Sequence, residues 1–154
     1  MIDLPFLLYG VGLAAAMVAA SLTVTAHPNW QLARAALVVF GNWVVGTVFA
    51  LTTDITDGWW FSIAIDAIAA GMIFYRLSSQ WQVALGLTYC LQIAMHLAYG
   101  LIAAAEPWPY YSALTAIAWL QLLLIAGWSG DIWLRQPKRE GDPKPRAKAA
   151  EPHS

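Results

Sequence analysis

The chain has 154 residues, of which 60% are hydrophobic and only 11% are charged, and its formal net charge is -1 at pH 7. Soluble domains usually carry charge on about one quarter of their residues, so this composition argues against a soluble domain and indicates a membrane protein. The single cysteine, Cys90, excludes an intrachain disulfide and a cysteine metal cluster. Motifs for nucleotide, zinc-protease, hydrolase or nucleic-acid chemistry do not occur in the sequence.

Five long apolar segments follow one another along the chain. A helix needs ~20 mostly apolar residues to cross a hydrocarbon core of about 30 Å, and all five segments meet that length. The breaks between them read HPN, DITDG, LSSQ and EPWP, which are turn-forming sequences. We therefore predict an all-α, polytopic integral membrane bundle in which short connections make neighbouring helices antiparallel. The predicted transmembrane domain, 1–134, holds helices at about 4–26, 32–53, 58–77, 81–105 and 110–134.

Basic and acidic residues alternate between the two ends of these predicted helices. Arg34 follows the first loop, Arg76 lies at the third loop, and six more basic residues occur from Arg135 onward. The N-terminus and the second and fourth loops lack Lys and Arg and hold acidic residues instead: Asp3, Asp54, Asp57 and Glu106. The positive-inside rule then places the N-terminus outside and the C-terminus in the cytoplasm, so we expect a multi-pass protein of the inner (cytoplasmic) membrane.

The last segment, 135–154, is predicted to be a disordered basic cytoplasmic tail. It contains four prolines after Gln136 and too few apolar residues to form a core. Its basic residues would attract it to anionic lipid and anchor the topology. A docking or regulatory tail is the second interpretation.

An aspartate and a histidine interrupt the apolar sequence at matching depths. Asp66 follows Gly58 by eight residues, and His96 precedes Ala104 by eight residues. At ~1.5 Å per residue each lies about 12 Å below the predicted outer end of its helix. Because these two helices are neighbours and antiparallel, we predict that the two side chains meet.

The fourth predicted helix carries a polar face on which His96 lies. Tyr89, Gln92, His96 and Tyr99 are spaced so that they share one side of a helix, and a polar stripe in a membrane helix must face protein or water. Asn42 lies near mid-depth on the second helix. The sequence thus predicts an intramembrane polar cluster of six residues: Asp66, His96, Gln92, Tyr89, Tyr99 and Asn42.

Two interpretations of this cluster stay open at this stage. It could be a clamp that fixes helix register, or it could bind a proton or a small ligand. No catalytic residue, metal ligand set or cofactor is predicted. Asp66 and His96 together give two ligands, whereas a closed metal site usually needs about four.

A resemblance adds a further hypothesis. The pair Asn42-Trp43, the run IDAIAA at 65–70, and QIAMH at 92–96 with Tyr99 after it resemble uncharacterised small multi-span membrane proteins of bacteriophages and prophages. The resemblance covers about residues 34–100 and brings no catalytic residue with it. It implies a holin-like, lysis-associated role.

Three functions therefore remain open from the sequence. The first is a non-enzymatic multi-pass protein whose polar cluster packs the bundle or binds a proton or small ligand. The second is a holin-like or other pore-forming protein, and the third is a small subunit of a transport or redox membrane complex. The expected partners are the lipid bilayer and either further copies of the chain or a membrane complex, with no nucleic acid.

Overall fold

All regular structure that the computed structural model describes, over residues 4–52, 58–102 and 107–135, is helical. The described residues form five helices, which confirms the prediction of an all-α chain with five helices. Four of them are long and apolar enough to cross a membrane, and the third, with 16 residues, is shorter. The helices are α1 (Leu4–Ala26), α2 (Trp30–Thr52), α3 (Trp59–Phe74), α4 (Gln80–Leu101) and α5 (Pro107–Leu134).

Local chemistry explains where the helices depart from the predicted bounds. The helix α2 starts two residues early because the side chain of Asn29 accepts a hydrogen bond from the Leu32 N–H at 2.9 Å, which caps the first turn. Pro107 begins α5, since the fixed φ of proline suits a first helical position. Residues 1–3, 53–57, 103–106 and 136–154 lie outside the described residues, and with them lie Asp3, Asp54, Asp57, Glu106 and the predicted tail after Arg135.

The helix α3 ends three residues before the predicted bound of 77. Tyr75 is extended (φ -62°, ψ 121°), and Arg76 is left-handed (φ 53°), a conformation that stops a helix. The guanidinium of Arg34 on α2 donates a hydrogen bond to the Tyr75 carbonyl and holds this turn. The next helix starts after Ser79, whose Oγ accepts from the Gln82 N–H at 3.2 Å.

The five helices form a closed ring. Each packs against its neighbours in the chain, α1 also packs against α5, and α2 reaches across to α5. Trp119 of α5 lies on Gly12 of α1, and Trp133 Nε1 donates to Thr23 Oγ1 at 3.0 Å. The order of these contacts makes α1 and α5 parallel, as expected for the first and last of five alternating helices.

Although α3 is short, it runs alongside its neighbours from one end of the bundle to the other. At one end, the ring of Trp59 rests on Gly100, where an added Cβ would lie 2.5 Å from the indole. At the other end, Tyr75 contacts Arg34 near the start of α2. At ~1.5 Å per residue the helix itself covers about 24 Å.

The outer surface of the bundle is apolar, as a lipid-facing surface should be. On α4 the residues opposite the polar face are all exposed: Leu87, Leu91, Ala94, Ala98 and Leu101. Cys90 is exposed on this side as well. A core position for Cys90, the usual place for a free cysteine, is therefore wrong for this chain.

Candidate functional site

Asp66 of α3 and His96 of α4 meet inside the bundle. Their exposed fractions are only 3% and 5%, and Nε2 of His96 lies 3.1 Å from Oδ2 of Asp66. Small residues on α3, Ala69 and Ala70, are buried nearby and allow α4 to approach closely. The contact is close but is not aligned as a hydrogen bond, because Oδ2 accepts none from the described residues.

A third helix reaches the same carboxyl group through Asn42. Its Nδ2 donates to Asp66 Oδ1 at 3.1 Å, so α2 and α4 hold different oxygens of one side chain. The amide Oδ1 of Asn42 is itself buried and has no hydrogen-bond partner among the described residues. Buried polar groups are normally satisfied, so an unpaired oxygen beside a buried carboxyl group marks a functional candidate.

The fourth contributor is Tyr110 of α5, which the sequence interpretation did not include in the cluster. Its hydroxyl lies 2.5 Å from Nδ1 of His96, and the side chain is 6% exposed. Tyr99 of α4 stacks on the Tyr110 ring, with centroids 4.2 Å apart and planes 14° apart. These two rings extend the site towards the end of the bundle where α4 ends and α5 begins.

The helix bounds show why Tyr110 was missed. Tyr110 is the first residue of the fifth predicted helix, 110–134, so the sequence predicts it at the end of that helix, while His96 is predicted about 12 Å deep. In the structure α4 ends at Leu101 and α5 begins at Pro107. His96 is then five residues, or about 7.5 Å, from the end of its helix, and Tyr110 lies one turn into the next.

Two other residues of the predicted cluster, Gln92 and Tyr89, form no hydrogen bond with Asp66 or His96 among the described residues. Gln92 contacts α5 and not Asp66, because its Oε1 accepts from Gln121 Nε2 at 2.6 Å. The same Gln121 amide donates to Thr88 Oγ1 at 3.1 Å. Tyr89 is fully buried, and its hydroxyl has no hydrogen-bond partner among the described residues. The structure therefore brings together Asp66, His96 and Asn42 and adds Tyr110.

Both ring nitrogens of His96 thus face an oxygen. A neutral imidazole has one N–H donor and one acceptor, whereas an imidazolium donates from both nitrogens. With a proton on Nε2, Nδ1 can accept from the Tyr110 hydroxyl; when Nδ1 is also protonated, the tyrosine oxygen can accept instead. The site can therefore hold His96 in either state by rotating one hydroxyl group.

Metal binding has no donor set in this region. Among the described residues, no group of three or more His, Cys, Asp or Glu side chains lies close enough together to hold a metal ion. The chemistry that the four contacting side chains can perform is hydrogen bonding and proton exchange.

Comparison of the chain with protein-family models, curated proteins and solved structures gave no match. Asn42, Asp66, His96 and Tyr110 come from α2, α3, α4 and α5, so their contacts depend on how these four helices pack together.

Replacing Tyr110 by phenylalanine is expected to destabilise the protein by about 1–3 kcal/mol, because His96 Nδ1 would be left buried without a partner. Tyr99→Phe is the matched control, since it keeps the stacked ring and removes a hydroxyl that forms no hydrogen bond with described residues. The control should change stability by no more than about 0.5 kcal/mol. Circular dichroism during unfolding by sodium dodecyl sulfate measures the stability of both variants. An equal loss of stability in Tyr110→Phe and Tyr99→Phe would mean that the contact of Tyr110 with His96 does not stabilise the protein.

Proposed function

We propose that the chain is a non-enzymatic, multi-pass protein of the cytoplasmic membrane that binds a proton at Asp66 and His96 and passes it through Tyr110. One observation carries this proposal: His96 is 5% exposed, and each of its ring nitrogens faces an oxygen, at 3.1 Å and at 2.5 Å. A purely structural clamp could use any fixed donor or acceptor beside Nδ1, whereas a phenol hydroxyl can either donate to Nδ1 or accept from it. A group that gains and loses a proton needs partners for both states, and this histidine has them.

Ionisable groups within a membrane helix are functional candidates by default, because burying them away from water is costly. Here the carboxyl group, the imidazole and the phenol form a row from the interior towards one end of the bundle. The His96 nitrogens lie 3.1 Å from Asp66 Oδ2 and 2.5 Å from the Tyr110 hydroxyl, so proton exchange needs a rotation of side chains and no movement of the helices. The Oδ1 of Asn42 and the hydroxyl of Tyr89 are also buried without a hydrogen-bond partner among the described residues, so further polar groups are available inside the bundle.

Five crossings with the N-terminus outside belong to the same proposal. The arrangement of α3 supports five crossings, since it lies against α2 and α4 over the length of the bundle. The described basic residues support the orientation. Arg34 and Arg76 flank Tyr75, so they lie together where α2 starts and α3 ends. Arg135 follows α5, whose last turn packs on the last turn of α1, next to the start of α2. All three lie at one end, as cytoplasmic residues would.

The holin-like alternative has less support from the packing. A pore former would oligomerise through small-residue faces. The helix α1 has such a face in Gly12, Ala16 and Ala20, but it is turned inward: Ala16 and Ala20 are buried, and the Trp119 ring covers Gly12. The complex-subunit alternative stays a hypothesis that co-purification would test.

Proton flux into proteoliposomes tests the proposal. Vesicles would hold a pH-sensitive dye, and a second set would hold a large fluorescent dye. We expect the wild type to admit protons and retain the large dye, and Asp66→Asn to lose most of the proton flux. Asp131→Asn is the matched control. This second carboxylate in a long apolar helix is bound to Arg135 at 2.6 Å and to Trp81 at 2.9 Å, away from His96, and its loss should leave flux intact.

Three results would overturn the proposal. Escape of the large dye from wild-type vesicles would show a pore. Equal proton flux in wild type and Asp66→Asn would remove the carboxyl group from the path. No flux in the wild type, together with a loss of stability in Asp66→Asn, would make the contact structural.

A further inference from the structure

Two arginines share one aromatic ring at the basic end of the bundle. The guanidinium carbons of Arg34 and Arg76 lie 5.5 Å and 5.4 Å from the centroid of the Tyr75 ring. Cations over an aromatic face are attracted to it, but the ring supplies no negative charge. Two positive charges thus lie at one turn, and Arg34 also binds the backbone of that turn.

Neither arginine forms a salt bridge within the described residues. The ion pairs there are His96 with Asp66 and Arg135 with Asp131. Nε of Arg34 is in addition buried without a hydrogen-bond partner, so a donor at this turn is unsatisfied. Paired guanidinium groups with free N–H donors suit the planar, bidentate recognition of phosphate.

An apolar groove begins one helical turn from these arginines. It lies between α2 and α3 and has a volume of about 330 Å³. Leu37, three residues after Arg34, and Met72, three residues before Tyr75, line its start. The groove continues past Gly41 and Ile68 to Asn42 and Val45. Leu37 and Met72 are exposed on the outer surface, so the groove opens sideways from the bundle.

We propose that this surface binds one anionic phospholipid, with its phosphate on Arg34 and Arg76 and an acyl chain in the groove between α2 and α3. The arginines match the phosphate of such a lipid, and the groove matches an acyl chain. The groove begins beside the arginines, just as an acyl chain begins beside the head group. Trp30 and Tyr75, which are 75% and 60% exposed, mark the membrane surface at this end. Basic pockets at the cytoplasmic ends of membrane helices are a known way of holding anionic head groups.

A free phosphate would be satisfied by the arginines alone and would leave the groove unused. A zwitterionic lipid would fill the groove, but its head group brings no net negative charge to the arginines. Both the charge and the groove are accounted for only by an anionic lipid. Competition between these probes therefore tests each half of the proposal.

Native mass spectrometry of the full chain in detergent would count bound lipids, with phosphatidylglycerol, phosphatidylcholine and inorganic phosphate as probes. We expect one phosphatidylglycerol per chain and weaker retention of phosphatidylcholine. Removing one arginine should weaken binding about fivefold, which corresponds to the usual contribution of one basic residue near an anionic membrane surface. Arg76→Gln is the safer variant, because Arg76 is exposed and Arg34 holds the turn.

Two further variants complete the test. Arg135→Gln removes a positive charge at the same end, but that charge is already paired with Asp131, so binding should not change. Gly41→Leu fills the groove. A Cβ at Gly41 would have no atom within 4 Å, so the bundle can fold while the acyl chain is displaced.

The result that supports the proposal is loss of phosphatidylglycerol in both Arg76→Gln and Gly41→Leu but not in Arg135→Gln. Equal binding of phosphatidylcholine, or an unchanged lipid count in Gly41→Leu, would overturn it. If inorganic phosphate displaced the lipid at low concentration, the site would hold only a phosphate, which also contradicts the proposal.

Discussion

Replacing His96 by leucine is expected to destabilise the bundle by about 2–5 kcal/mol, because Asp66 and Tyr110 would each lose a buried polar partner at a usual cost of about 1–3 kcal/mol. The carboxyl group of Asp66 is 3% exposed and would keep the Asn42 amide but lose its only basic neighbour among the described residues. Tyr110 would lose the ring nitrogen that its hydroxyl contacts at 2.5 Å. Unfolding by sodium dodecyl sulfate, followed by circular dichroism, would measure the loss.

The double variant Asp66→Leu with His96→Leu provides the control. Replacing both members of a buried pair with apolar residues of similar size is often neutral, so most of the lost stability should return. A double variant that is as unstable as the sum of the two single variants would show that the side chains do not interact. Asp66→Leu with His96→Leu should nevertheless carry no protons, because the exchanging groups are gone. In this double variant we therefore expect stability close to that of the wild type together with a loss of proton flux.

The second large effect concerns the number of crossings. In a Cys90→Ser background, a cysteine at Thr52 and a cysteine at Leu77 lie at opposite ends of α3, and both positions are exposed. A membrane-impermeant maleimide added to spheroplasts should label Thr52→Cys fully and Leu77→Cys only after the membrane is opened. This all-or-none difference is expected because α3 runs the length of the bundle.

The same pair of cysteines distinguishes the alternative topologies. Labelling of both from outside would mean that α3 does not cross and that four helices span the membrane. Labelling of Leu77→Cys alone would reverse the orientation deduced from Arg34, Arg76 and Arg135. The second result would also move the proposed lipid site to the outer leaflet.

Much of this fold follows from the sequence, because the bilayer restricts what an apolar chain can do. Length and turn chemistry predicted five helices, and helical spacing predicted which side of α4 is polar. The exposed positions Leu87, Leu91 and Ala94 confirm that spacing. The contact of Asp66 with His96 follows from depth on neighbouring helices, an argument that needs only the rise per residue.

The remaining features of the fold and the site depend on side-chain shape and on where each helix ends. The periodicity of the sequence specifies neither. The sequence does not predict contact of Tyr110 with His96, because the predicted end of α4 at 105 lies four residues beyond its end at Leu101 in the structure. The short α3 depends on the left-handed backbone of Arg76, which a non-glycine residue rarely adopts. The close packing of Trp59 on Gly100 and of Phe74 on Gly86 needs knowledge of where each ring points.

The central claim is that His96 gains and loses a proton inside the bundle, and nitrogen NMR of the imidazole tests this most directly. The chain has three histidines, so labelling histidine with ¹⁵N gives few signals, and Asp66→Asn assigns His96 as the one that changes. In deuterated water we expect the His96 N–H to exchange with solvent in the wild type, and to exchange much more slowly in Tyr110→Phe, which lacks the hydroxyl that contacts Nδ1. A wild-type His96 N–H that does not exchange would contradict the account.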